Sequence, residues 1–230
     1  MKKNRVIILL CLVISFVTVN GFAADWFPMT SGTTENLNDV WGYSDLYAYA
    51  VGDNGTLLYY TGVWTSPMPP GTFSMNLNAL WGPSGSDIFL VGDGGTIAHF
   101  GGSPPGGFMD SGTVENLNDV WGISGSNVFV VGDSGTILHY DGIAWSTMAS
   151  PTTNNLNGVW GSSATRAFAV GDNGTILYYD GIAWSTMASP TTNQLNCVWG
   201  YSDLYAYAVG DNGTLLYYTG AWTSPMPPGT

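Results

Sequence analysis

The chain has 230 residues, 45% of them apolar, with a formal net charge of −12. That length supports one sizeable core, and a charged fraction of only 9% separates the chain from a solvated acidic tail. The acidic balance repels phosphate backbones and anionic lipid surfaces, so nucleic acid is excluded as an expected partner.

The first segment reads as a leader. Lys2, Lys3 and Arg5 form a positive n-region, Val6 to Val19 is almost wholly apolar, and Gly21-Phe22-Ala23 puts small residues where a signal peptidase reads. Residues 1–23 are therefore predicted to be a secretory signal peptide, the apolar run being too short for a membrane span. Cutting after Ala23 removes three of the four basic residues. Arg166 alone then faces sixteen acidic side chains, a formal charge of −15. The mature chain is expected to be secreted or periplasmic, with no membrane span. It keeps one cysteine, Cys197, which has no second thiol in the chain to pair with. The same slot holds Asp39, Ala79, Asp119 and Gly158 in other repeats, so the slot demands no thiol.

Residues 24–36 come next. Trp26-Phe27-Pro28-Met29 resembles an outer strand such as Trp145-Ser146-Thr147-Met148. It competes with Trp222 to Met226, at the other end of the chain, for the outermost place in the last repeat. One of the two is expected to close a ring. The other is left to pack elsewhere or to pair with another molecule.

From residue 37 to 230 the chain repeats itself. Leu-Asn-x-Val-Trp-Gly recurs five times, with Leu for Val in the second copy, and its tryptophans are Trp41, Trp81, Trp121, Trp160 and Trp199. Twelve residues after each comes the aspartate of Gly-Asp-x-Gly-Thr: Asp53, Asp93, Asp133, Asp172 and Asp211. In the fourth copy Asn155 to Gly161, Ala167 to Val170, Thr175 to Tyr179 and Ala183 to Met187 read as four short strands. Asn-Gly at the tight turn supplies the positive φ that a hairpin needs. Four antiparallel strands expose two apolar faces, which radial stacking buries. The predicted fold is all-β, a five-bladed β-propeller with repeats of 39–40 residues. Val40 to Thr72 matches Val198 to Thr230 with a single difference, which points to recent duplication rather than to blades tuned for one asymmetric site.

The first strand together with Val130 to Gly142 (Val-Val-Gly-Asp-Ser-Gly-Thr-Ile-Leu-His-Tyr-Asp-Gly) resembles the repeats of secreted bacterial β-propellers, a grouping that takes in photosystem II stability-factor-like, Asp-box-like and WD40- or YVTN-like propellers. The resemblance covers the whole mature chain and implies a propeller. It implies little about activity, since those groups include assembly factors, sialidase-like enzymes and binding modules. A strict Asp-box resembles Ser-x-Asp-x-Gly-x-Thr-Trp, but here no Trp follows Gly-Thr. The sialidase arginines have no counterpart, Arg166 standing alone in the mature chain.

Candidate sites follow the repeat. The turn aspartates are expected to cap their own hairpins by accepting backbone N–H groups. Asn38, Asn78, Asn118, Asn157 and Asn196 could ring a central channel and hold a ligand, or satisfy backbone groups there. Trp64, Trp145, Trp184 and Trp222 offer aromatic faces for a sugar, or pack between strands. Blade two, with Phe108 and no Trp, should lack such a face. Asn54, Asn173 and Asn212 meet a glycosylation sequon but also suit a turn. His99 and His139 share a slot with tyrosines, and no metal site, catalytic residue or cofactor is expected. Asp39, Asp119, Glu35 and Glu115 are the only acids near the first strands available for glycoside chemistry. The reading is a non-catalytic, multivalent module or scaffold for an extracellular or periplasmic protein. The alternatives are a lectin, a glycoside-acting enzyme, and self-association through a spare terminal strand or Cys197.

Overall fold

A computed structural model of the chain describes residues 28–224, apart from residues 45, 69–71 and 102–106. The leader, Trp26, Phe27 and the last six residues lie outside the described part. Five four-stranded antiparallel sheets follow one another in chain order, so the molecule is a five-bladed β-propeller. Blade one contains β1 (Leu37–Ser44), β2 (Tyr47–Gly52), β3 (Thr56–Tyr60) and β4 (Trp64–Thr65). Blade two contains β5 (Leu77–Ser84), β6 (Asp87–Gly92), β7 (Ile97–Gly101) and β8 (Gly107–Met109). Blade three contains β9 (Leu117–Ser124), β10 (Asn127–Gly132), β11 (Ile137–Tyr140) and β12 (Trp145–Thr147). Blade four contains β13 (Leu156–Ser163), β14 (Arg166–Gly171), β15 (Ile176–Tyr179) and β16 (Trp184–Thr186). Blade five contains β17 (Leu195–Ser202), β18 (Tyr205–Gly210), β19 (Leu215–Tyr218) and β20 (Trp222–Thr223).

Every sheet is a simple up-and-down meander, as turns of two to five residues require. Two register shifts interrupt each pairing of first and second strands. In blade three Asp119 opposes Val131 and Leu117 opposes Gly132, so Asn118 is the extra residue of a bulge. Asn38, Asn78, Asn157 and Asn196 are bulged in the same way. A second shift near the hairpin tip leaves Tyr43, Ile123, Ser162 and Tyr201 unopposed.

The core consists of the joints between blades. Phe129, Val131 and Ile137 of blade three pack on Leu156, Val159, Ala169 and Leu177 of blade four. Phe168, Val170 and Ile176 repeat the arrangement against Leu195, Val198, Ala208 and Leu216 of blade five. Alternation along β10 and β14 sends one set of side chains to the preceding blade and the other to the following one. Each fully buried aliphatic side chain contributes about 1.5–3 kcal/mol.

The fourth strand of blade five comes from the chain's own end: Trp222 pairs with Tyr218. Residues 28–36 carry no strand, and the expected strand at Trp26–Met29 falls partly outside the described residues. The expected ring closure is not seen among the described residues. β1, β5, β9, β13 and β17 pack in succession, but no comparable packing joins β17 to β1. Leu37 is 42% exposed, while Leu77, Leu117, Leu156 and Leu195 are fully buried.

Candidate functional site

The Gly-Asp-x-Gly-Thr turns lie together at one end of the strands. The residue after each aspartate is left-handed, with φ of 53° at Asn54, 55° at Ser134 and 57° at Asn173. A short polar side chain tolerates that conformation better than a branched one. The Asp133 N–H donates to the Asn116 carbonyl and the Thr136 N–H donates to the Asp133 carbonyl, each at 2.9 Å.

The carboxylates do something other than cap their own hairpins. Asp133 Oδ1 accepts the Asn118 side-chain amide and Oδ2 accepts that of Asn116, both at 3.0 Å. Asp53 is held likewise by Asn38 and Asn36, and Asp93 by Asn78 and Asn76. Asp172 and Asp211 accept from Asn157 and Asn196. A side-chain amide with two N–H groups can serve two acceptors, and the bulged asparagines do so. Asn38 also donates to the carbonyl of Leu77, Asn78 to Leu117, Asn118 to Leu156 and Asn157 to Leu195, at 2.9–3.0 Å. Each bond crosses to the next blade, so these amides are joint pieces.

A second asparagine row escaped the sequence reading. Asn76, Asn116 and Asn155 use their carbonyl oxygens to accept the N–H of Asn54, Gly94 and Ser134 in the preceding blade. The Asn-x-Asn spacing around each leucine was the available signal in blades one to four, with Gln194 in place of the first asparagine in blade five. Its partners lie 21–22 residues away, beyond any local periodicity.

The Trp-Gly pair of the first strand is also a joint device. A Cβ placed on Gly122 would meet the Trp81 ring at 2.6 Å. Gly161 would meet Trp121 at 2.6 Å and Gly200 would meet Trp160 at 2.4 Å. Each tryptophan thus lies over the following blade's glycine, where only a missing side chain leaves room.

The outer tryptophans are not open sugar platforms. Trp184 and Trp222 are 5% exposed, edge-on to Phe129 and Phe168 of the preceding blade, with ring centroids 5.9 and 5.4 Å apart. Trp145 meets Phe89 at 6.1 Å and its indole N–H donates to the Met109 sulfur. The indole N–H groups of Trp184 and Trp222 are buried without a partner. The short fourth strand lies close to the neighbouring blade, so a large ring buries most area by wedging into the joint. Trp64, on the unpacked side of blade one, is half-buried. Blade two has Phe108 instead, 67% exposed.

The acids near the first strands also belong to joints. Asp39 Oδ2 accepts the N–H of Leu80 and Asp119 Oδ2 that of Val159, across to the next blade. Burial pushes the Asp39 carboxyl up to about 7, against the pull of the Leu80 and Val40 N–H groups. Glu35 accepts the Asn54 amide and Glu115 the Ser134 hydroxyl. His99 is buried on Phe89, its Nε2 2.6 Å from Asp87, and His139 tilts over Phe129. Among the described residues no three His, Cys, Asp or Glu side chains gather to hold a metal ion. Arg166 pairs with Asp203 across the joint of blades four and five.

The opposite end of the strands differs in character. Its hairpin tips carry the bulged residues, and large apolar side chains stand out there: Tyr43 is 55% exposed, Ile123 50% and Tyr201 84%. Leu46 and Leu204, on the same turns, are more than half exposed. One end of the propeller is a self-satisfied amide and carboxylate lattice, the other an exposed aromatic and aliphatic surface.

No family model and no curated protein sequence matches the chain. Solved structures do. YCF48 bound to a D1 peptide superposes with a TM-score of 0.63 at 15% identity, over 84% of this chain and 67% of that one. YCF48 from Cyanidioschyzon merolae gives 0.65 at 12% identity, over 84% and 72%. The WD40 β-propeller domain of Doa1 gives 0.63 at 13% identity, over 80% and 65%. The likeness is one of fold: the chain is similar to β-propellers and spans about two-thirds of their length.

Proposed function

We propose that the chain is a secreted or periplasmic, non-catalytic propeller that binds extracellular protein segments through its hairpin-tip face. The observation that carries this reading is the repeated bulge, which lifts Tyr43, Ile123 and Tyr201 out of their sheets towards solvent. Exposed aromatic and aliphatic groups on a rigid sheet edge bury area against a partner at little entropic cost. Repetition adds avidity, since several weak contacts on one partner multiply. The fold neighbour YCF48 is solved bound to a D1 peptide, which supports a polypeptide as the kind of ligand. The aspartate face suits a ligand less well, because its acceptors are already engaged by asparagine amides. A lectin loses its main support with the burial of Trp184 and Trp222.

A phage-displayed peptide library selected on the mature chain, in parallel with a glycan array, tests the reading. Enriched peptides should bind the wild type, lose at least tenfold in affinity to Ile123→Asp combined with Leu204→Asp, and find no counterpart among glycans. Glycan binding with no peptide enrichment, or peptides indifferent to the double variant, would overturn it.

A further inference from the structure

At the last three joints of the array a fourth-strand tryptophan fills the outer part of the cleft between two blades. Trp145 stands against Phe89 of blade two and Tyr140 of its own blade, with ring centroids 6.1 and 5.2 Å apart. Trp184 meets Phe129 and Tyr179, and Trp222 meets Phe168 and Tyr218, at 5.3–5.9 Å. Each of the three lies opposite the last tyrosine of its third strand.

The joint of blades one and two has both walls of that cleft and, among the described residues, no such ring between them. Tyr49 opposes Trp41 as Phe89 opposes Trp81, so it stands in the place of Phe89. Phe100 opposes Ile88 as Tyr140 opposes Val128, so it stands in the place of Tyr140. Phe108 does not replace the tryptophan. It opposes Ala98, as Thr147 opposes Leu138, and it turns to Phe73, 5.4 Å away, while remaining 67% exposed. Eleven residues before the next first-strand leucine, where Trp145 and Trp184 stand, the sequence of blade two has Gly106. Residues 69–71 and 102–106 consist only of Gly, Ser and Pro, so they bring no aromatic ring to this joint.

Between the two walls lies a cavity of about 210 Å³, lined mainly by Tyr49, Leu57, Met68, Ile88 and Phe100. Leu57 and Ile88 are buried, and Ser86, which also borders the cavity, is exposed. The wall is fixed across the joint, since the Tyr49 hydroxyl donates to the Gly85 carbonyl at 2.9 Å. An apolar cavity of roughly 150 Å³ takes up a ring the size of benzene, so this one has room for a bicyclic ring.

We infer that the cavity is a binding site for an indole-type ring, a flat bicyclic aromatic with one N–H donor. The chemistry is that of the occupant the same cleft has elsewhere in this molecule. At the other joints an aromatic from one blade and an aromatic from the next enclose an indole, which lies edge-on to the first of them. The Trp145 N–H donates to the Met109 sulfur at 3.5 Å, and Met68 brings the same thioether to the cavity. A ring entering from solvent buries apolar area there without displacing a neighbour, because the walls are already in place. The ring can be a free indole or a tryptophan side chain on a polypeptide, and the test separates the two.

A fluorinated indole is titrated into the mature chain and followed by fluorine NMR, with N-acetyltryptophanamide as competitor. The indole should bind saturably with a Kd of about 0.1–1 mM, as befits so small a ligand in a preformed apolar site. Ser86→Trp sets a competing ring beside the cavity from an exposed position, and Ile88→Phe fills part of it. Each should weaken binding by about tenfold or more. Ser126→Trp makes the Ser86 change at the joint where Trp145 already sits, and should leave binding as it is. Circular dichroism checks each fold, and Ser86→Trp carries the test if the buried Ile88→Phe does not fold. Displacement by N-acetyltryptophanamide makes a polypeptide tryptophan an acceptable source; indole binding without displacement makes the ligand a free ring. No saturable binding up to about 5 mM overturns the proposal. So does binding that survives Ser86→Trp, or that Ser126→Trp weakens equally. Peptide binding at the hairpin tips is read with Ile123→Asp and Leu204→Asp, neither of which lines this cavity, so the two proposals fail separately.

Discussion

Blades three and four and blades one and five carry almost the same residues in the same register, yet they present opposite surfaces. In the middle of the array Leu156 and Val170 are fully buried; at the ends Leu37 and Val209 are nearly half exposed. The difference lies in the neighbour, not in the blade. A propeller blade is a two-faced sheet whose stability is a sum of its own hairpins and the joints on either side. Most of what the repeat conserves along this chain (the bulged Asn, the Trp-Gly step, the turn Gly) serves the joint. In blades one and five the same residues are left partly exposed where no neighbouring blade packs on them among the described residues.

The largest effect that would sharpen this contrast comes from the Trp-Gly step. Gly161→Ala puts a methyl 2.6 Å from the Trp121 ring and 2.8 Å from the Arg166 carbonyl. Backbone cannot yield easily there, so the cost should be about 3 kcal/mol, at the upper end for overpacking. Gly42→Ala places the same methyl in open space. It should stay within about 0.5 kcal/mol of wild type in urea unfolding. Equal losses at the two sites would mean that blade one is packed in solution as tightly as blade four.

The asparagine bulge gives a smaller contrast of the same kind. Asn118→Ala strands the Leu156 carbonyl and removes one amide from Asp133. Losing a half-buried partner of this sort costs about 1–3 kcal/mol. Asn196→Ala removes the exposed bond to Asp211 and the local one from the Gln194 side-chain amide, strands no carbonyl of a following blade among the described residues, and should cost under about 1 kcal/mol. Thermal unfolding of the pair, measured at a concentration that keeps the chain monomeric, checks the ranking.

How much of this was legible beforehand depends on the range of the interaction. Strands and turns within a blade rest on period-two patterning and on Asn-Gly or Ser-Gly turn chemistry, so all five meanders and the left-handed Asn54, Asn173 and Asn212 could be read directly. The tight turn proved one residue longer than a two-residue hairpin, because Asp172 begins a short 3₁₀ turn. The outer tryptophans were ambiguous because an aromatic at a strand end suits a ligand or a joint equally, and only the position of Phe129 or Phe168 in the preceding blade decides. The asparagine-to-leucine bonds span 38–39 residues, a full repeat, and nothing local announces them. The open seam was hidden for a related reason. The number of blades in a turn is set by the angle at each joint, a property of two packed sheets, whereas the count of repeats is a property of the chain.

The smallest expected effect turns on one slot that meets a following blade in blade one and none among the described residues in blade five. Asp39 sits at the joint of blades one and two, where burial lifts its carboxyl from 3.8 to about 7. A carboxyl whose pKa is raised on folding binds its proton more tightly in the folded state. Its contribution is therefore most favourable at acid pH and is lost as pH rises from about 4 to about 7. Asp39→Asn keeps an oxygen for the Leu80 N–H and removes the charge. The variant should gain on wild type between pH 5 and pH 8, by about 1 kcal/mol once relaxation around the group is allowed for. Cys197 occupies the same slot in blade five and is itself half-buried, but no backbone N–H of a following blade meets it among the described residues. With no following blade packed over it among the described residues, the carboxylate of Cys197→Asp should show a smaller pH-dependent loss than Asp39 does. Parallel melts of both variants at pH 5 and pH 8 read both predictions. An equal pH response at Cys197→Asp and at Asp39 would show that the two slots are buried alike.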